Sequence, residues 1–373
     1  MIKVLFFIPT LGHGGAERVL VNLVNNMDQT KFDITVQTMF DVGIYRDKLN
    51  KGIKYKGGLK WYFRGNTVLY QLFSPKQLYK MYIKEEYDVI ISYLEGPSSR
   101  VVFGCQNKDI KKIAWIHTQL NERKVAYKSF RTKKEAEDCY SSYDLIACVS
   151  QGVKDSFYET FNVDCPVRVM YNTIEAKKII EKSLVVVDDI KFSDDKINLV
   201  SVGKLIKVKG YDRLIEVVNK LIKEKYKIKL YLLGVGEEKG ALEKKILEYK
   251  LEDSVVFCGF KDNPYKYVKN ADIYVCSSYR EGFSTAVTEA LIVGTPVVST
   301  NCSGAKELLG YNNEYGIVTN NDEESLYLGI KEMIKSKETM NKYKEKAKER
   351  GQKFSIDETV GAVEQMLEEV VKG

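Results

Sequence analysis

Long apolar runs, proline, histidine and paired cysteines are all scarce in this chain of 373 residues, and each scarcity excludes a class of protein. No apolar run reaches the roughly 18 to 20 residues that a membrane-spanning helix needs. The seven cysteines are scattered without a Cys-x-x-Cys pair, which is typical of reduced thiols in a cytosolic protein. The only histidines, His13 and His117, have no carboxylates at zinc-ligand spacing. Disordered and collagen-like classes are excluded too, because glycine and proline are few.

Positive charge is concentrated in the first half of the chain. Residues 1–180 hold 27 Lys and Arg against 19 Asp and Glu, whereas the remainder holds 31 against 32. Between Arg46 and Lys84, ten basic residues accompany a single acid, Asp47, and aromatic residues are interspersed among them. Such a segment suits an anionic surface, which a membrane, a lipid diphosphate or a nucleic acid would present.

Short apolar runs alternate with amphipathic helical patterns, and the alternation restarts after a charged stretch. The runs are continuously apolar and often β-branched, which predicts strands covered on both faces. The predicted fold class is therefore α/β, with two doubly wound, Rossmann-like parallel-sheet domains and a helical tail. Ligands of such sheets bind outside the carboxyl ends of the strands, which places the site in a cleft between the domains. The predicted divisions are residues 1–180, a linker over 181–196, residues 197–355, and a C-terminal helix over 356–373 that packs back toward the first domain.

Two candidate sites follow predicted strands in the first half. Gly14 and Gly15 come after the first strand and open a helix, whose free N–H groups suit an anion. Their spacing is not that of a dinucleotide fingerprint, and an ordinary strand-to-helix turn explains the glycines equally well. His117 ends a predicted strand, where it could hydrogen-bond a hydroxyl or titrate near neutrality. A packing or capping histidine fits this position too.

A lysine-rich loop opens the second half. Lys204, Lys207 and Lys209 lie between a predicted strand and a predicted helix. Like charges repel at this spacing, so a bound polyanion would relieve them, although a solvated loop also accounts for three lysines. Gly236 lies in a second tight strand-to-helix turn, which is a weaker signal.

The stretch 272–299 is the most specific segment of the chain. A buried strand leads into a polar loop, a helix is predicted to begin at residue 283 or 284, and Gly-x-Pro precedes the next strand. Two glutamates eight positions apart could accept hydrogen bonds from sugar hydroxyls, and free N–H groups at the helix start suit a phosphate. The residues concerned are Glu281 and Glu289 for the hydroxyls, and Gly282, Phe283 and Ser284 for the phosphate.

Taken together, these motifs resemble the large retaining glycosyltransferase family numbered four, whose members have the GT-B fold. The family's Glu-x₇-Glu motif, followed by Gly-x-Pro-Val, is matched from Glu281 to Val297. The loop at Gly14 is similar to the family's N-terminal glycine loop. Further matches occur in the family's order along most of the chain, at Ser150, Asn172, Gly203-Lys204-Leu205 with Lys209-Gly210, Gly234-x-Gly236 and Phe257-Cys258-Gly259.

The resemblance implies a role for each candidate residue. The catalytic residues would be Lys209, Glu281 and His117, the last beside the sugar and the reacting carbon. The donor diphosphate would be bound by Gly14, Gly15, Lys204, Lys209 and the amides of Gly282, Phe283 and Ser284. The rest of the donor would be bound by Glu281 at the sugar, Glu289 at the ribose, Phe260 at the base, and by Asn172 and Gly236. Lys204 stands where the family usually has arginine, which keeps the charge but loses the two-pronged geometry.

The implied reaction is the transfer of a sugar from a nucleotide donor with retention of the anomeric configuration, and the expected donor is a UDP-sugar. Lysines and helix N–H groups would stabilise the charge on the leaving diphosphate, so no metal or other cofactor is expected. No Asp-x-Asp pair is placed to hold a metal, since Asp188-Asp189 and Asp194-Asp195 lie in the predicted linker. The resemblance is to enzymes of bacterial surface-polysaccharide synthesis, and the basic, aromatic segment Arg46–Lys84 is what favours a saccharide or lipid-linked saccharide as acceptor. Arg46–Lys84 would reach it at the inner face of the cell membrane, from a cytoplasmic and peripheral location.

Three other functions fit parts of the sequence. A soluble transferase that makes a glucan or a disaccharide would not need the basic segment, and salt-sensitive binding to anionic vesicles would distinguish it. A nucleotide-sugar epimerase of the same fold would act without an acceptor. A nucleic-acid-binding protein would lose affinity steeply with salt, but the glutamate pair and the lack of a nucleic-acid motif argue against such a partner.

Overall fold

The structure, a computed structural model, describes residues 1–12, 14–60, 70–120 and 126–372. It divides into two compact units. Unit 1 comprises Met1–Ile174 and Ile356–Gly373, and unit 2 comprises Glu175–Ser355. The first crossing between units therefore falls six residues before the predicted boundary at residue 180. The predicted linker over 181–196 belongs to unit 2, where a helix covers its beginning.

Unit 1 contains a parallel sheet of seven strands within the described residues, in the order β3-β2-β1-β4-β5-β6-β7. The first strand, Ile-Lys-Val-Leu-Phe-Phe-Ile, has five consecutive buried residues, as expected of a parallel strand that is covered on both faces. The bounds are β1 Ile2–Ile8, β2 Phe32–Thr38, β3 Lys54–Lys56, β4 Val89–Ser92, β5 Lys111–Ile116, β6 Leu145–Cys148 and β7 Val167–Val169.

Helices join the strands of unit 1 and return at the end of the chain. Several begin at a side-chain cap that the sequence supplies, such as Ser74, Thr132 and Ser150, each accepting a hydrogen bond from a backbone N–H three residues on. The bounds are α1 Gly15–Asn26, α2 Pro75–Tyr82, α3 Pro97–Phe103, α4 Lys133–Ser141 and α5 Gln151–Thr160, with the last helix of the chain, Ile356–Lys372, also in this unit.

Unit 2 contains a parallel sheet of six strands among the described residues, in the order β10-β9-β8-β11-β12-β13. The order reverses between β8 and β11, which are neighbours in the sheet. Ligands of open parallel sheets bind outside the carboxyl ends of the strands at such a switch point. The bounds are β8 Ile197–Val202, β9 Ile228–Leu233, β10 Val255–Gly259, β11 Ile273–Cys276, β12 Val297–Thr300 and β13 Ile317–Thr319.

The helices of unit 2 bury apolar stripes against this sheet. The helix after β8 carries apolar residues at helical spacing, Tyr211, Leu214, Ile215, Val218 and Leu221, and all of them lie in the core. The bounds are α6 Ala176–Ser183, α7 Tyr211–Lys223, α8 Lys239–Glu248, α9 Tyr265–Asn270, α10 Thr285–Ile292, α11 Ala305–Leu309, α12 Glu323–Ile334 and α13 Lys337–Gly351, after which α14 Ile356–Lys372 belongs to unit 1.

The structure corrects several predicted elements. The sequence pattern misses β3, because three residues with two lysines carry no strand-like alternation. The pattern over 123–139 predicts one continuous helix, but residues 127–132 form turns and bends, and α4 begins at Lys133, where the Thr132 side chain provides the cap; residues 121–125 lie outside the described residues. The helix predicted from 283 or 284 begins at Thr285. Within the described ranges, no helix combines the length and the apolar character that crossing a membrane requires.

Candidate active site

A half-buried ion pair lies at the switch point of unit 2. Lys209 Nζ donates to Glu281 Oε1 at 2.6 Å, and Ser278 Oγ donates to the same oxygen at 2.5 Å. Lys209 comes from the loop after β8 and Glu281 from the loop after β11, so two loops at the carboxyl edge of one sheet meet here. Their side chains are 25% and 14% exposed, which leaves the pair reachable but largely shielded from water.

The two loops are joined through their backbones as well. Tyr279 N donates to Val208 O at 2.8 Å, and Ser277 Oγ donates to Lys209 O at 3.0 Å. Gly210 allows this approach, because a Cβ atom at that position would lie 2.1 Å from Ser277 O and its φ of +63° is left-handed. The contact between Lys209 and Glu281 therefore rests on a fixed backbone rather than on two mobile side chains.

Two of the three loop lysines are neutralised within the protein. Lys207 Nζ lies 2.5 Å from Asp212 Oδ2, and Lys209 is paired with Glu281. Burial lowers the pKa of Lys209, but the charge and hydrogen bond of Glu281, with smaller contributions from Cys276 and Tyr211, raise it, so the pKa lies above its ordinary value of 10.5. Lys204 is exposed and has no ion pair among the described residues. Acidic side chains of the protein itself thus compensate the charges of Lys207 and Lys209. Of the three loop lysines, Lys204 is the one whose charge has no such partner among the described residues.

The start of α10 carries the remaining candidates of the motif. The side chain of Ser284 caps this helix and accepts from Val287 N at 3.4 Å, so one of the predicted anion-binding residues already satisfies a helix N–H. Phe283 is buried, and a Cβ atom at Gly304 would lie 2.8 Å from its ring, so the loop after β12 packs against it. Glu289 is buried within the helix.

Glu281 and Glu289 act on the same group in the protein. Burial is the main reason why the pKa of Tyr274 is raised, and the charges of both glutamates contribute to the increase. Glu281 lies in the loop after β11 and Glu289 lies inside α10, so both belong to one strand–loop–helix segment.

The glycine turn after β9 packs directly beneath the loop that follows β8. A Cβ atom at Gly234 would lie 1.9 Å from Gly203 O, and one at Gly236 would lie 2.2 Å from Leu205 O. Gly236 is thus a packing residue that lets two loops approach. Phe260, which follows β10, has 46% of its surface exposed and so remains accessible for stacking.

The candidates of unit 1 lie at the carboxyl ends of its strands. Gly14 precedes α1, and a Cβ atom there would lie 1.9 Å from Glu17 Oε2. The Glu17 carboxylate thus lies at the N-terminus of α1, and a phosphate at this position would have to displace it. Gly15 is the first residue of α1, and Asn172 is half-buried in the segment after β7. His13 lies outside the described residues.

His117 follows β5 and is almost fully buried. Its backbone N–H donates to Glu95 Oε2 at 2.8 Å, and its ring centroid lies 4.8 Å from that of Tyr93. Burial lowers the pKa of His117 to about 3, which argues against titration near neutrality, one of the two uses predicted for it. Its Nε2 atom has no hydrogen-bond partner among the described residues, which leaves a neutral imidazole able to bond a hydroxyl.

A buried arginine that the sequence analysis passed over holds the loop of Glu281. Arg213 lies in the first turn of α7, is 4% exposed, and donates to Ser277 O and Ser278 O at 2.7 and 2.6 Å. Asn321, after β13, donates to Tyr279 O at 2.8 Å. Only one sequence signal exists for Arg213, namely a charge beside the apolar stripe of an amphipathic helix, and that signal is common.

The acid pair noted in the predicted linker is engaged by lysines. Asp188 pairs with Lys266 at 3.0 Å and Asp189 with Lys261 at 2.5 Å. The hydrogen bond from Lys261 is the main reason why the pKa of Asp189 is lowered to about 2. Within the described part of the chain, no three His, Cys, Asp or Glu residues are grouped so that they could hold a metal ion.

A groove of about 720 Å³ lies elsewhere in unit 2, at the amino ends of β11 and β12. Asp272, Pro296 and Lys344 are among the residues that line it. Ligands of parallel sheets bind at the carboxyl ends of the strands. The groove is therefore not the candidate site, despite its size.

Two family models match the chain. The model described as "Glycosyltransferase Family 4" matches residues 13–178, and the model described as "Glycosyl transferases group 1" matches residues 186–350. Together they account for most of the chain, which therefore belongs to the glycosyltransferases of this family. The resemblance found in the sequence is confirmed.

Curated relatives and solved structures extend these matches. A Campylobacter jejuni protein named N-acetylgalactosamine-N,N'-diacetylbacillosaminyl-diphospho-undecaprenol 4-alpha-N-acetylgalactosaminyltransferase is 36% identical over 58% of this chain and 57% of its own length. The lipopolysaccharide core biosynthesis glycosyltransferase LpsE of Rhizobium meliloti is 25% identical over 86% of each chain. Anabaena HepE, solved in complex with UDP-glucose, superposes with a TM-score of 0.77 at 17% identity, over 99% of this chain and 100% of HepE. That likeness confirms the predicted GT-B fold.

Proposed function

We propose that this protein is a retaining glycosyltransferase that transfers a sugar from a UDP-sugar to a saccharide or lipid-linked saccharide during cell-surface polysaccharide synthesis. The observation that carries the proposal is the shielded Lys209–Glu281 pair at the switch point of unit 2, beside the start of α10. It combines a fixed cation, a carboxylate and a helix N-terminus at one strand edge, which is what a sugar diphosphate requires.

The proposed chemistry follows from these charges. As the bond between the sugar and the diphosphate breaks, negative charge grows on the leaving phosphate and positive charge on the sugar ring. Lys209 and Lys204 stabilise the negative charge on the leaving phosphate, and the N–H groups at the start of α10 stabilise it further. Glu281 holds the sugar hydroxyls through the oxygen that Lys209 does not occupy, and Glu289 accepts from the ribose. His117, as a neutral imidazole, bonds a hydroxyl rather than moving a proton.

We further propose UDP as the carrier and a reaction that needs no metal. HepE, whose fold this chain shares, was solved with UDP-glucose, which supports a uridine donor here. The cations proposed for the diphosphate are lysines. The consecutive acids Asp188 and Asp189, which could otherwise be considered as metal ligands, are paired with Lys266 and Lys261.

The acceptor proposal rests on relatives and on charge. The names of the C. jejuni and R. meliloti proteins refer to an undecaprenol-linked saccharide and to lipopolysaccharide. An acceptor anchored in a membrane would require the enzyme to work at an anionic surface. The described part of the basic segment contains a lysine-bearing face that could contact this surface, and it lies on α2.

The face of α2 differs from the earlier part of the segment. Lys54 lies 2.7 Å from Asp33 Oδ2, and Lys56 pairs with Glu85, so their charges are compensated. By contrast, Lys76 and Lys80 are exposed one turn apart on α2, and Lys84 follows its end. Leu72 and Met81 expose 73% and 41% of their surfaces nearby. Exposed lysines beside exposed apolar side chains suit the headgroup region of an anionic membrane. Arg64 lies outside the described residues.

A donor panel tests the proposed function. The full chain is incubated with UDP-, GDP- and ADP-sugars, with and without undecaprenyl-diphosphate-linked saccharides in anionic vesicles, and nucleotide release and lipid product are measured. We expect release of UDP that depends on acceptor and that persists in EDTA. The anomeric configuration of the product, read by NMR, should match that of the donor.

The other outcomes identify the alternatives. UDP release or epimer formation without any acceptor would indicate the epimerase. Transfer to a soluble glucan that vesicles do not stimulate would indicate the soluble transferase. Loss of transfer in EDTA, with recovery on adding Mg²⁺, would contradict the metal-independent mechanism.

A further inference from the structure

The loop that carries Glu281 is held by its carbonyl groups. Three successive carbonyls, those of Ser277, Ser278 and Tyr279, each accept a hydrogen bond from a side chain outside the loop. Arg213 supplies the first two, at 2.7 and 2.6 Å, and Asn321 supplies the third, at 2.8 Å. A loop without regular secondary structure is thus fixed at the three peptide groups that precede Glu281 by only a few positions.

Arg213 makes more contacts than a helix-surface arginine would. Its guanidinium also donates to Asn321, to the carbonyl O at 3.2 Å and to Oδ1 at 2.7 Å. The guanidinium carbon lies 4.1 Å from the ring centroid of Tyr279. Among the described residues no carboxylate forms an ion pair with it, so neutral oxygens and one aromatic face satisfy a buried charge. Burying a charged guanidinium is costly unless its N–H groups are hydrogen-bonded. Arg213 therefore depends on the loop carbonyls being in place, and the loop depends on Arg213.

The fork of the guanidinium is what fits this loop. Nε and Nη2 donate in parallel to consecutive carbonyls, a geometry that a lysine ammonium cannot reproduce because it is a single point of charge. The hydrogen bonds of Arg213 also help to fix the backbone at Lys209, because Tyr279 N donates to Val208 O and the side chain of Ser277 donates to Lys209 O.

We propose that Arg213 is a positioning residue that sets the place of Glu281 and, through the joined loops, of Lys209 at the donor site. The inference rests on the proposed function for what the pair does, but the positioning itself is a property of the fold. Arg213 acts through Glu281 and Lys209 and touches no substrate. A displacement of about 1 Å at a reacting centre is sufficient to slow catalysis by about a hundredfold.

The test compares two arginines of matched burial. Arg213→Lys keeps the charge and removes the fork. The control is Arg100→Lys in unit 1, because Arg100 is 1% exposed and also donates to two loop carbonyls, Tyr70 O and Phe73 O, both at 2.7 Å. We expect both variants to lose thermal stability. Only Arg213→Lys should lower kcat, by about tenfold or more at a donor KM changed less than about threefold.

Hydrogen exchange gives a readout that does not depend on sugar transfer. In Arg213→Lys, amides of residues 277–283 and 207–210 should exchange faster, whereas in Arg100→Lys the faster exchange should be confined to unit 1. Unchanged exchange at 277–283, or a normal kcat in a destabilised Arg213→Lys, would overturn the proposal. If that variant fails to fold, Asn321→Ala, which removes the side-chain bonds to Tyr279 O, Arg213 Nη2 and Cys302 Sγ, is measured in the same way. A wild-type chain that transfers no sugar contradicts the proposed function, while the exchange data still decide the role of Arg213.

Discussion

At the level of single residues, Lys209 and Lys207 show how two lysines of one loop come to differ. Lys207 pairs with Asp212 near the surface, with 69% of its side chain exposed, while Lys209 is 25% exposed and pairs with Glu281. Surface ion pairs contribute little, typically about 0 to 1 kcal/mol. Removing one partner of a shielded pair costs more, because the other charge is left without compensation.

The first prediction compares these two lysines. Lys209→Ala should lower kcat by about a hundredfold or more, because the charge it offsets is larger in the transition state than in the bound donor. Lys207→Ala, which makes the same change of charge two positions away, should leave kcat within about twofold. Steady-state kinetics at saturating acceptor decide the matter, and near-normal turnover in Lys209→Ala would remove this lysine from the reaction.

The second prediction concerns the protonation of His117. Burial lowers the pKa of His117 to about 3, below the value of 6.5 expected in the unfolded chain. Between these values the unfolded chain binds a proton that the folded chain does not, so the folded state loses stability as the pH falls from about 6.5 toward 3. His117→Gln should remove that part of the pH dependence, measured as the difference in urea unfolding between pH 7 and pH 4.5.

A direct titration checks the same point. The imidazole signals of His117, followed by NMR and assigned with the His117→Gln variant, should not shift between pH 8 and pH 5. A midpoint near the ordinary value of 6.5 would mean that the ring is solvated and able to exchange a proton with substrate.

At the level of elements, α2 is amphipathic in a way that the whole basic segment is not. Leu78 and Tyr82 are buried against the unit, while Lys76 and Lys80 are exposed. Its start is well defined, because Ser74 and Gln77 form a reciprocal capping box and Pro75 follows the cap. A short helix so fixed can hold its lysines on one face without help from a ligand.

The third prediction tests this face. Replacing Lys76, Lys80 and Lys84 together by Gln should release the protein from vesicles that contain anionic lipid, since each basic residue near such a surface contributes about 1 kcal/mol. The matched control replaces Lys335, Lys346 and Lys348, exposed lysines of unit 2 that pair with glutamates of their own helical segments. The measurement is co-sedimentation with vesicles at two salt concentrations. If both triple variants were released from the vesicles equally, the loss of binding would be due to net charge and not to the face of α2.

At the level of the whole molecule, the chain crosses between its two units twice, after residue 174 and after residue 355. The second crossing returns α14 to unit 1, where Val363, Met366 and Leu367 are buried. Polar contacts hold the middle and the last turns of α14 as well, since Asp28 N donates to Glu364 Oε1 at 2.6 Å and Arg168 Nη1 lies 2.5 Å from Glu369 Oε2. Unit 1 therefore requires residues from both ends of the chain.

The fourth prediction separates packing from charge in that helix. Leu367→Ala should destabilise the protein by about 2 to 5 kcal/mol, as large-to-small changes in a core do. Glu369→Ala, two positions on and 42% exposed, should cost less than about 1 kcal/mol. Calorimetry with two resolved transitions should assign the loss in Leu367→Ala to unit 1, and an equal loss in both units would contradict the assignment of this helix to unit 1.

Local patterns were sufficient for most strands, though not for β3, and for the order of the two units along the chain. The sequence pattern predicts strands over 2–8, 32–38, 197–202 and 228–233, and the structure has these four with the same bounds, Ile2–Ile8, Phe32–Thr38, Ile197–Val202 and Ile228–Leu233. Continuous apolar runs have one stable solution in a sheet covered on both sides, so they can be read without tertiary contacts. The motif from Glu281 to Val297 was readable for the same reason, because strand, loop and helix follow each other in sequence.

The sequence by itself determined which residue types stand at the carboxyl edge of each sheet, because that edge follows from strand order and from parallel topology. Only the tertiary structure decided what those residues do to one another. Lys209 and Glu281 are 72 positions apart, and their pairing at 2.6 Å depends on β8 and β11 being neighbours. The same holds for Arg213, whose partners come from the loops after β11 and β13, and for His117, whose pKa is set by burial. Contacts between distant segments and the removal of water are properties of the folded chain, and a local sequence pattern carries neither.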